Sequence, residues 1–197
     1  MPRKPNRDAP PEPWRSFLQD LDERLTGAIE IHCIGGFVVA QHYGVGRETS
    51  DIDFLSVLPR NGNDDIEAIA GLQSELHRKY RLYMQHVTVA TVPTDYLARL
   101  ERMFPATQWK HLALSALEAH DLALSKLVRN GERDRDDVVR LARAGHLDGD
   151  MLRSRYLEEM QPYLLGNVEW HDKTLELWLE MCWPQIAKST RYAEKDE

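Results

Sequence analysis

The fold of this chain is decided by one stretch of sequence, IGGFVVAQHYGVGRETSDIDFLSV, at residues 34–57. Gly35 and Gly36 end an apolar run and open a short helical segment, and Asp51 and Asp53 follow inside a second apolar run. Carboxylates are disfavoured in strands, so this pair needs an explanation. Side chains at positions i and i+2 of a strand point to the same face, so the two carboxylates are predicted to project side by side.

Two adjacent carboxylates repel each other unless a positive charge lies between them. Hard divalent cations such as Mg²⁺, or Mn²⁺ in its place, prefer oxygen ligands of this kind. The turn at Gly35 and Gly36 would let backbone N–H groups approach an anion without a Cβ in the way. Two simpler interpretations stay open: Asp51 and Asp53 as charges that keep an edge strand soluble, and the glycines as a plain tight turn.

The patterns along the chain predict an α+β half followed by a helical half. Apolar spacing predicts a helix from Trp14 to Leu25, and a longer amphipathic helix is predicted over 64–80. The predicted strands are 29–34, 51–58, 83–92 and, with mixed propensities, 111–118. The predicted organisation is a proline-rich disordered tail at 1–13, an α+β core at 14–118 and a helical region at 119–197.

The overall composition excludes several classes of protein. The formal net charge of −7 over 197 residues argues against an extended surface that coats nucleic acid, although a local basic patch is compatible with it. No apolar run is long enough to cross a bilayer and no signal segment starts the chain, so we expect a cytoplasmic protein without a membrane partner. Cys33 and Cys182 lie too far apart in sequence for a Cys-rich metal site.

The glycine pair at 35–36 and the later pattern GxxRxTxDID resemble the signature of the nucleotidyltransferase (DNA polymerase β-like) superfamily. In this chain the pattern consists of Gly44, Arg47, Thr49, Asp51, Ile52 and Asp53. The variant with Arg and Thr before the aspartates is similar to bacterial nucleotidyltransferases of the AbiEii toxin type. The resemblance implies a small mixed β-sheet core, Mg²⁺ (or Mn²⁺) bound by the two aspartates, and a triphosphate contacted by the glycine turn together with Arg47 and Thr49.

Residues 121–141, DLALSKLVRNGERDRDDVVRL, resemble the downstream motifs of the same group. By this resemblance Lys126 neutralises triphosphate charge, and Asp134 and Asp137 are the acids of an RDxxD motif that joins the catalytic group. The residues themselves leave alternatives open, because most helical lysines are solvated. Asp134 is also a good helix N-cap, and acids in a first turn favour the helix dipole.

One departure from the superfamily pattern concerns a third acidic residue, which such enzymes usually carry on a later strand. The corresponding segment here has His86 and Thr88 but no Asp or Glu. Glu118 would substitute only if the fold brought it near the other two acids. A chain without that acid is expected to bind Mg-nucleotide and turn over slowly or not at all.

Two functions follow from these residues and the resemblance. The first is an Mg²⁺-dependent nucleotidyltransferase that moves NMP from an NTP such as ATP to an RNA or protein hydroxyl, within a bacterial toxin–antitoxin or phage-defence pair that includes an antitoxin or toxin partner. The second is a weakened member of the fold that binds nucleotide or another protein. The basic segment HRKYR at 77–81 would hold nucleotide phosphates or an RNA end if it flanked the site, or else form a solvated helix face.

Overall fold

The structure is a computed structural model that describes residues 8–58 and 65–184 of the chain. These residues form two compact units. The sheet unit comprises residues 8–58, 65–90 and 99–117, and the helical unit comprises residues 91–98 and 118–184.

The elements follow the α+β-then-helical order. Those of the sheet unit are α1 (Trp14–Arg24), β1 (Ile29–Ile34), α2 (Gly35–Phe37), a π-helical turn (Val38–His42), β2 (Asp51–Leu58), α3 (Ile66–Ala70), α4 (Glu75–Tyr80), β3 (Tyr83–His86), β4 (Glu101–Arg102) and β5 (Leu112–Ala116). A 3₁₀ turn (Tyr96–Arg99) precedes β4. The later elements are α5 (Ala119–Leu124), α6 (Glu132–Arg143), α7 (Gly149–Arg155), a π-helical turn (Tyr156–Met160), a 3₁₀ turn (Gln161–Tyr163) and α8 (Val168–Cys182).

The five strands of the described residues form one mixed sheet in the order β3-β2-β1-β5-β4. The pairs β1–β5 and β2–β3 are parallel, whereas β1–β2 and β4–β5 are antiparallel. The predicted fold class, an α+β protein with a small mixed sheet and a C-terminal set of helices, is therefore confirmed. The central strand β1 has five of its six residues buried, which explains its apolar composition.

Helix α1 supplies the aromatic cover of the sheet unit and also fixes the start of β5. Trp14 packs edge-on against Phe37 with ring centroids 4.7 Å apart. The buried Asp22 near the end of the helix accepts hydrogen bonds from the backbone N–H groups of residues 110, 111 and 112, at 2.7–2.9 Å. A buried carboxylate is costly unless it is hydrogen-bonded, and three donors satisfy this one.

Several predicted elements are shorter than the sequence patterns suggested. The helix predicted over 64–80 is divided into α3 and α4 at Gly71, whose extended backbone, with φ −77° and ψ −177°, ends α3. A Cβ at this position would be 2.3 Å from the carbonyl oxygen of Glu67, so glycine is required there. The strand predicted over 83–92 ends at His86, and the segment 111–118 forms a strand only over Leu112–Ala116. Propensity alone does not detect where a sheet partner ends.

The predicted tail at 1–13 falls partly outside the described residues, which begin at Asp8. From there the chain lies against the sheet unit: Pro10 is buried, and the carbonyl of Asp8 accepts a hydrogen bond from the N–H of Ala106 at 3.1 Å. Within the described part of the chain, no helix has the length and apolar character required to cross a membrane.

Candidate active site

The start of β2 places Asp51 and Asp53 on one face of the sheet. Ile52 and Phe54, the alternate residues, are 0% and 3% exposed and belong to the core. Both aspartates are half-buried, so their carboxylates are reachable from solvent. The alternation follows from the two-residue period of a strand, and it leaves two acids side by side.

The glycine turn lies directly against the second of these acids. Ile34, the last residue of β1, is opposite Asp53 in the antiparallel register, and Gly35 follows it. Gly35 has φ +75°, and a Cβ at this position would be 2.4 Å from Oδ2 of Asp53. Only glycine fits, both because of the left-handed backbone and because of the carboxylate above it.

The remaining site residues lie near the same turn: Gly36 belongs to α2, and Arg47 and Thr49 lie in the loop that leads into β2. The Thr49 hydroxyl donates a hydrogen bond to Oδ1 of Asp51. A Cβ on Gly36 would lie 4.0 Å from the Cβ of Thr49, which is ordinary contact. Arg47 is exposed, and none of the recorded hydrogen bonds or ion pairs of residues 8–58 and 65–184 involves its guanidinium. The sheet unit therefore brings together the glycines, the threonine and the aspartates that the sequence singled out.

The charge of the two acids affects neighbouring side chains. Burial, followed by the negative charges of Asp51 and Asp53, raises the pKa of the Tyr83 phenol. Burial, with a further contribution from Asp53, also raises the pKa of the Cys33 thiol. Both groups are therefore held in their neutral forms, and neither adds a further negative charge beside the pair.

Strand β3 supplies two neighbours of the aspartates that the sequence pattern did not identify. In the parallel register Tyr83 is opposite Asp51 and Gln85 is opposite Asp53, so their side chains share the face of the acids. The sheet position beside Asp53 on this side thus carries a neutral amide. The alternation of Tyr83 and Gln85 was visible in the sequence, but the parallel register that sets them beside the acids was not.

The other acid considered from the sequence, Glu118, belongs to the helical unit, where it caps α5. Its carboxylate forms an ion pair with Arg155 and accepts a hydrogen bond from His120 Nδ1 at 2.8 Å. Burial, the largest single influence, raises the pKa of Glu118, but the contacts with His120 and Arg155 outweigh it and lower the pKa to about 2. Arg155 also lies 3.1 Å from the fully buried carboxylate of Asp121, so both acids already have a positive partner.

The downstream motif residues form a buried ionic cluster within the helical unit. Nζ of Lys126 lies 2.9 Å from Oδ2 of Asp137 and 3.8 Å from Oδ1 of Asp134. Asp134 also accepts two hydrogen bonds from the guanidinium of Arg129, at 2.8 and 2.6 Å, and one from the N–H of Gly131. Two cations and two anions thus compensate each other. The cluster joins α6 to the segment after α5, and the catalytic role of Lys126, Asp134 and Asp137 stays a prediction.

The chemistry of the sheet-unit site suits a hard cation. Two adjacent carboxylates provide oxygen ligands, and the remaining positions of an octahedral ion are usually completed by water and substrate phosphates. Across residues 8–58 and 65–184, no group of three or more His, Cys, Asp or Glu side chains is arranged to hold a metal ion. Any metal at this site would therefore depend on Asp51 and Asp53, with substrate as a further ligand.

Comparison with known proteins places the chain in a family. Residues 17–191 match a family described as nucleotidyltransferase of unknown function (DUF6036). The match covers most of the chain, so the chain belongs to this nucleotidyltransferase family, and the resemblance to nucleotidyltransferases is confirmed. The closer similarity to the AbiEii toxin type stays a prediction. No curated protein and no solved structure matches the chain.

Proposed function

We propose that this member of the nucleotidyltransferase family transfers NMP from an NTP, ATP being the first to test, to an RNA or protein hydroxyl. The observation that carries the proposal is the contact between the glycine turn and the acidic pair. Gly35 has no room for a side chain because the carboxylate of Asp53 occupies that space. An acid held against a tight backbone turn places negative metal ligands next to the amide groups that would receive a phosphate.

Each residue of the sheet-unit site has a role in this proposal. Asp51 and Asp53 would hold Mg²⁺ (or Mn²⁺), which supplies charge neutralisation at the transferring phosphoryl group when it is bound. The Thr49 hydroxyl, which donates to Asp51, fixes the orientation of that carboxylate. The turn at Gly35 and Gly36 and the exposed guanidinium of Arg47 would receive the β- and γ-phosphates. In the reaction a bond forms between the acceptor oxygen and the α-phosphorus, and the acceptor hydroxyl releases its proton to water. The bond between the α-phosphorus and the oxygen that bridges to the β-phosphate breaks, and pyrophosphate leaves.

A second candidate is a nucleotide-binding or protein-interaction module with weak or absent turnover. The observation that favours it is Gln85, because an amide lies beside Asp53 where another carboxylate would add a metal ligand. Such a module would bind Mg-ATP and release no pyrophosphate with any acceptor. The two candidates share the same site and differ only in turnover.

The proposal is tested by pyrophosphate release and by incorporation of label from α-³²P-NTPs, with total RNA or total protein of a bacterial host as acceptor. Replacing both site carboxylates, Asp51→Asn with Asp53→Asn, should reduce product at least 100-fold, because electrostatic contributions of this kind are worth about 10²–10³ each. Glu23→Gln is the matched control, since it neutralises an exposed carboxylate of the same unit. Its activity should equal that of the unmodified protein.

The outcomes separate the candidates. Equal incorporation by the double variant and the unmodified protein would contradict the proposed enzyme. Mg-dependent ATP binding by calorimetry, with no pyrophosphate released on either acceptor, would favour the binding module. Label in RNA or in protein identifies the acceptor, and label in one co-expressed host protein would support the further proposal of a toxin–antitoxin or phage-defence pair.

A further inference from the structure

The C-terminal end of α4 leads directly into the strand beside the acidic pair. The helix ends at Tyr80, and the next residue, Arg81, caps it in a left-handed conformation with φ 61° and donates its N–H to the carbonyl of His77 at 2.8 Å. Two residues later Tyr83 opens β3 and lies opposite Asp51. The N–H of Tyr83 donates to the carbonyl of Ser50 at 3.0 Å, which joins this junction to the loop before β2.

The basic segment HRKYR at 77–81 therefore borders the candidate active site. The ring of His77 packs edge-on against the ring of Tyr83 with centroids 5.5 Å apart. Two residues of extended chain span about 7 Å and neighbouring strands are about 5 Å apart. The Cα atom of Arg81 thus lies within about 12 Å of that of Asp51, a distance that a few nucleotides of a single strand can span.

The basic side chains of this segment differ in whether an acidic side chain pairs with them. Lys79 forms an ion pair with Asp20 at 2.6 Å, and the nearby Arg24 pairs with Glu75 at 2.9 Å. Arg78 and Arg81 are exposed, and no acidic partner is recorded for either within residues 8–58 and 65–184. In a chain with a formal net charge of −7, two uncompensated guanidinium groups at the edge of an acidic site point to an anionic ligand.

We propose that Arg78 and Arg81 bind backbone phosphates of an RNA acceptor strand and so place its terminal hydroxyl at the site. This inference rests on the proposed function and assigns RNA as the acceptor class. Arginine forms bidentate pairs with phosphate, whereas a protein hydroxyl would bring no repeating anion to this edge. The contacts go to the backbone, so they position a strand without reading its sequence.

The test measures binding of a fluorescein-labelled single-stranded RNA with a free 3′ hydroxyl, by anisotropy, at several KCl concentrations, fixed Mg²⁺ and no NTP. The tested protein carries Arg78→Gln and Arg81→Asn, the latter chosen because Asn tolerates a left-handed backbone. The double variant loses two exposed arginine–phosphate pairs, so we expect it to bind the RNA about 2- to 30-fold more weakly than the unmodified protein. Each lost phosphate contact also reduces the slope of log affinity against log salt by about 0.7, so the slope should fall by about 1.4. Arg24→Gln is the matched control, because it removes an arginine that already has a partner, and it should change neither quantity.

Because no NTP is present, the result is independent of whether the protein transfers nucleotides. Weaker RNA binding with a shallower salt slope in the double variant alone supports the inference, even if no product forms. Three results overturn it: no RNA binding by the unmodified protein, equal RNA binding by the double variant, or a loss of ATP affinity in calorimetry with RNA affinity unchanged. The last would assign the arginines to the nucleotide triphosphate.

Discussion

Replacing Gly35 by alanine should damage the fold and the proposed metal site together, because the new methyl group has no room. A Cβ at Gly35 would be 2.4 Å from Oδ2 of Asp53, so the carboxylate must move by about 1 Å to reach ordinary contact distance. The left-handed backbone, with φ +75°, adds about 1–2 kcal/mol of strain for any side chain. Overpacking adds about 1–3 kcal/mol. We expect the free energy of unfolding to fall by about 2–5 kcal/mol and Mn²⁺ to bind at least tenfold more weakly.

The neighbouring glycine provides the comparison. A Cβ at Gly36 would meet only the Cβ of Thr49, at 4.0 Å, and alanine is favoured over glycine within a helix by about 0.5–1 kcal/mol. Gly36→Ala should therefore leave stability unchanged or slightly increased, and Mn²⁺ binding unchanged. The measurements are urea denaturation followed by circular dichroism, and Mn²⁺ titration followed by electron paramagnetic resonance. If both alanine variants gave the same stability and the same Mn²⁺ affinity, Asp53 would not depend on the turn and the proposed site would be wrong.

Two other changes test the electrostatics of the chain. Gln85→Glu places a third carboxylate beside Asp53 on the shared face. We expect it to tighten Mn²⁺ binding by about tenfold, since carboxylate count sets affinity for hard cations. Gln19→Glu, at an exposed position of α1, is its control, and equal Mn²⁺ affinity in the two variants would contradict the placement of Gln85. The lowered pKa of Glu118 predicts that the protein loses stability in acid.

The pKa of Glu118 is about 2 in the folded protein and 4.5 in its ordinary state. The ionised carboxylate therefore contributes to the free energy of unfolding above pH 4.5, and this contribution disappears as the pH falls from 4.5 to 2. Its size is about 3 kcal/mol. Urea unfolding of Glu118→Gln between pH 2 and 6 should show a correspondingly flatter pH dependence, and a profile parallel to that of the unmodified protein would refute the assignment.

The elements around the site could be predicted because their local signals agree. Strands 29–34 and 51–58 have the bounds that their apolar patterns predicted, and a side chain's face follows from strand alternation alone. That the glycine turn and the acidic pair serve one site was implied by the resemblance to nucleotidyltransferases, because their contact depends on the antiparallel register of β1 and β2. Local sequence signals are enough to predict the bounds of a strand that ends at a glycine or at a change from apolar to polar residues.

The remainder depends on contacts between distant residues, which no local pattern contains. The placement of Tyr83 and Gln85 follows from a parallel register between β2 and β3, and two parallel strands give no sign of their offset in the sequence. The same applies to Lys126, for which the sequence left a triphosphate ligand or a solvated helical lysine open and whose partners are buried carboxylates of a later helix.

The contact between Asp22 and the start of β5 has a consequence for the order in which the chain is assembled during synthesis. Asp22 leaves the ribosome some 90 residues before the amide groups that it binds, and β1 emerges well before its parallel partner β5. Until residue 116 has been translated, the carboxylate of Asp22 and one edge of the apolar strand β1 therefore remain without their final partners. Nascent chains that stall between β1 and β5 should therefore be more sensitive to protease than the full-length chain.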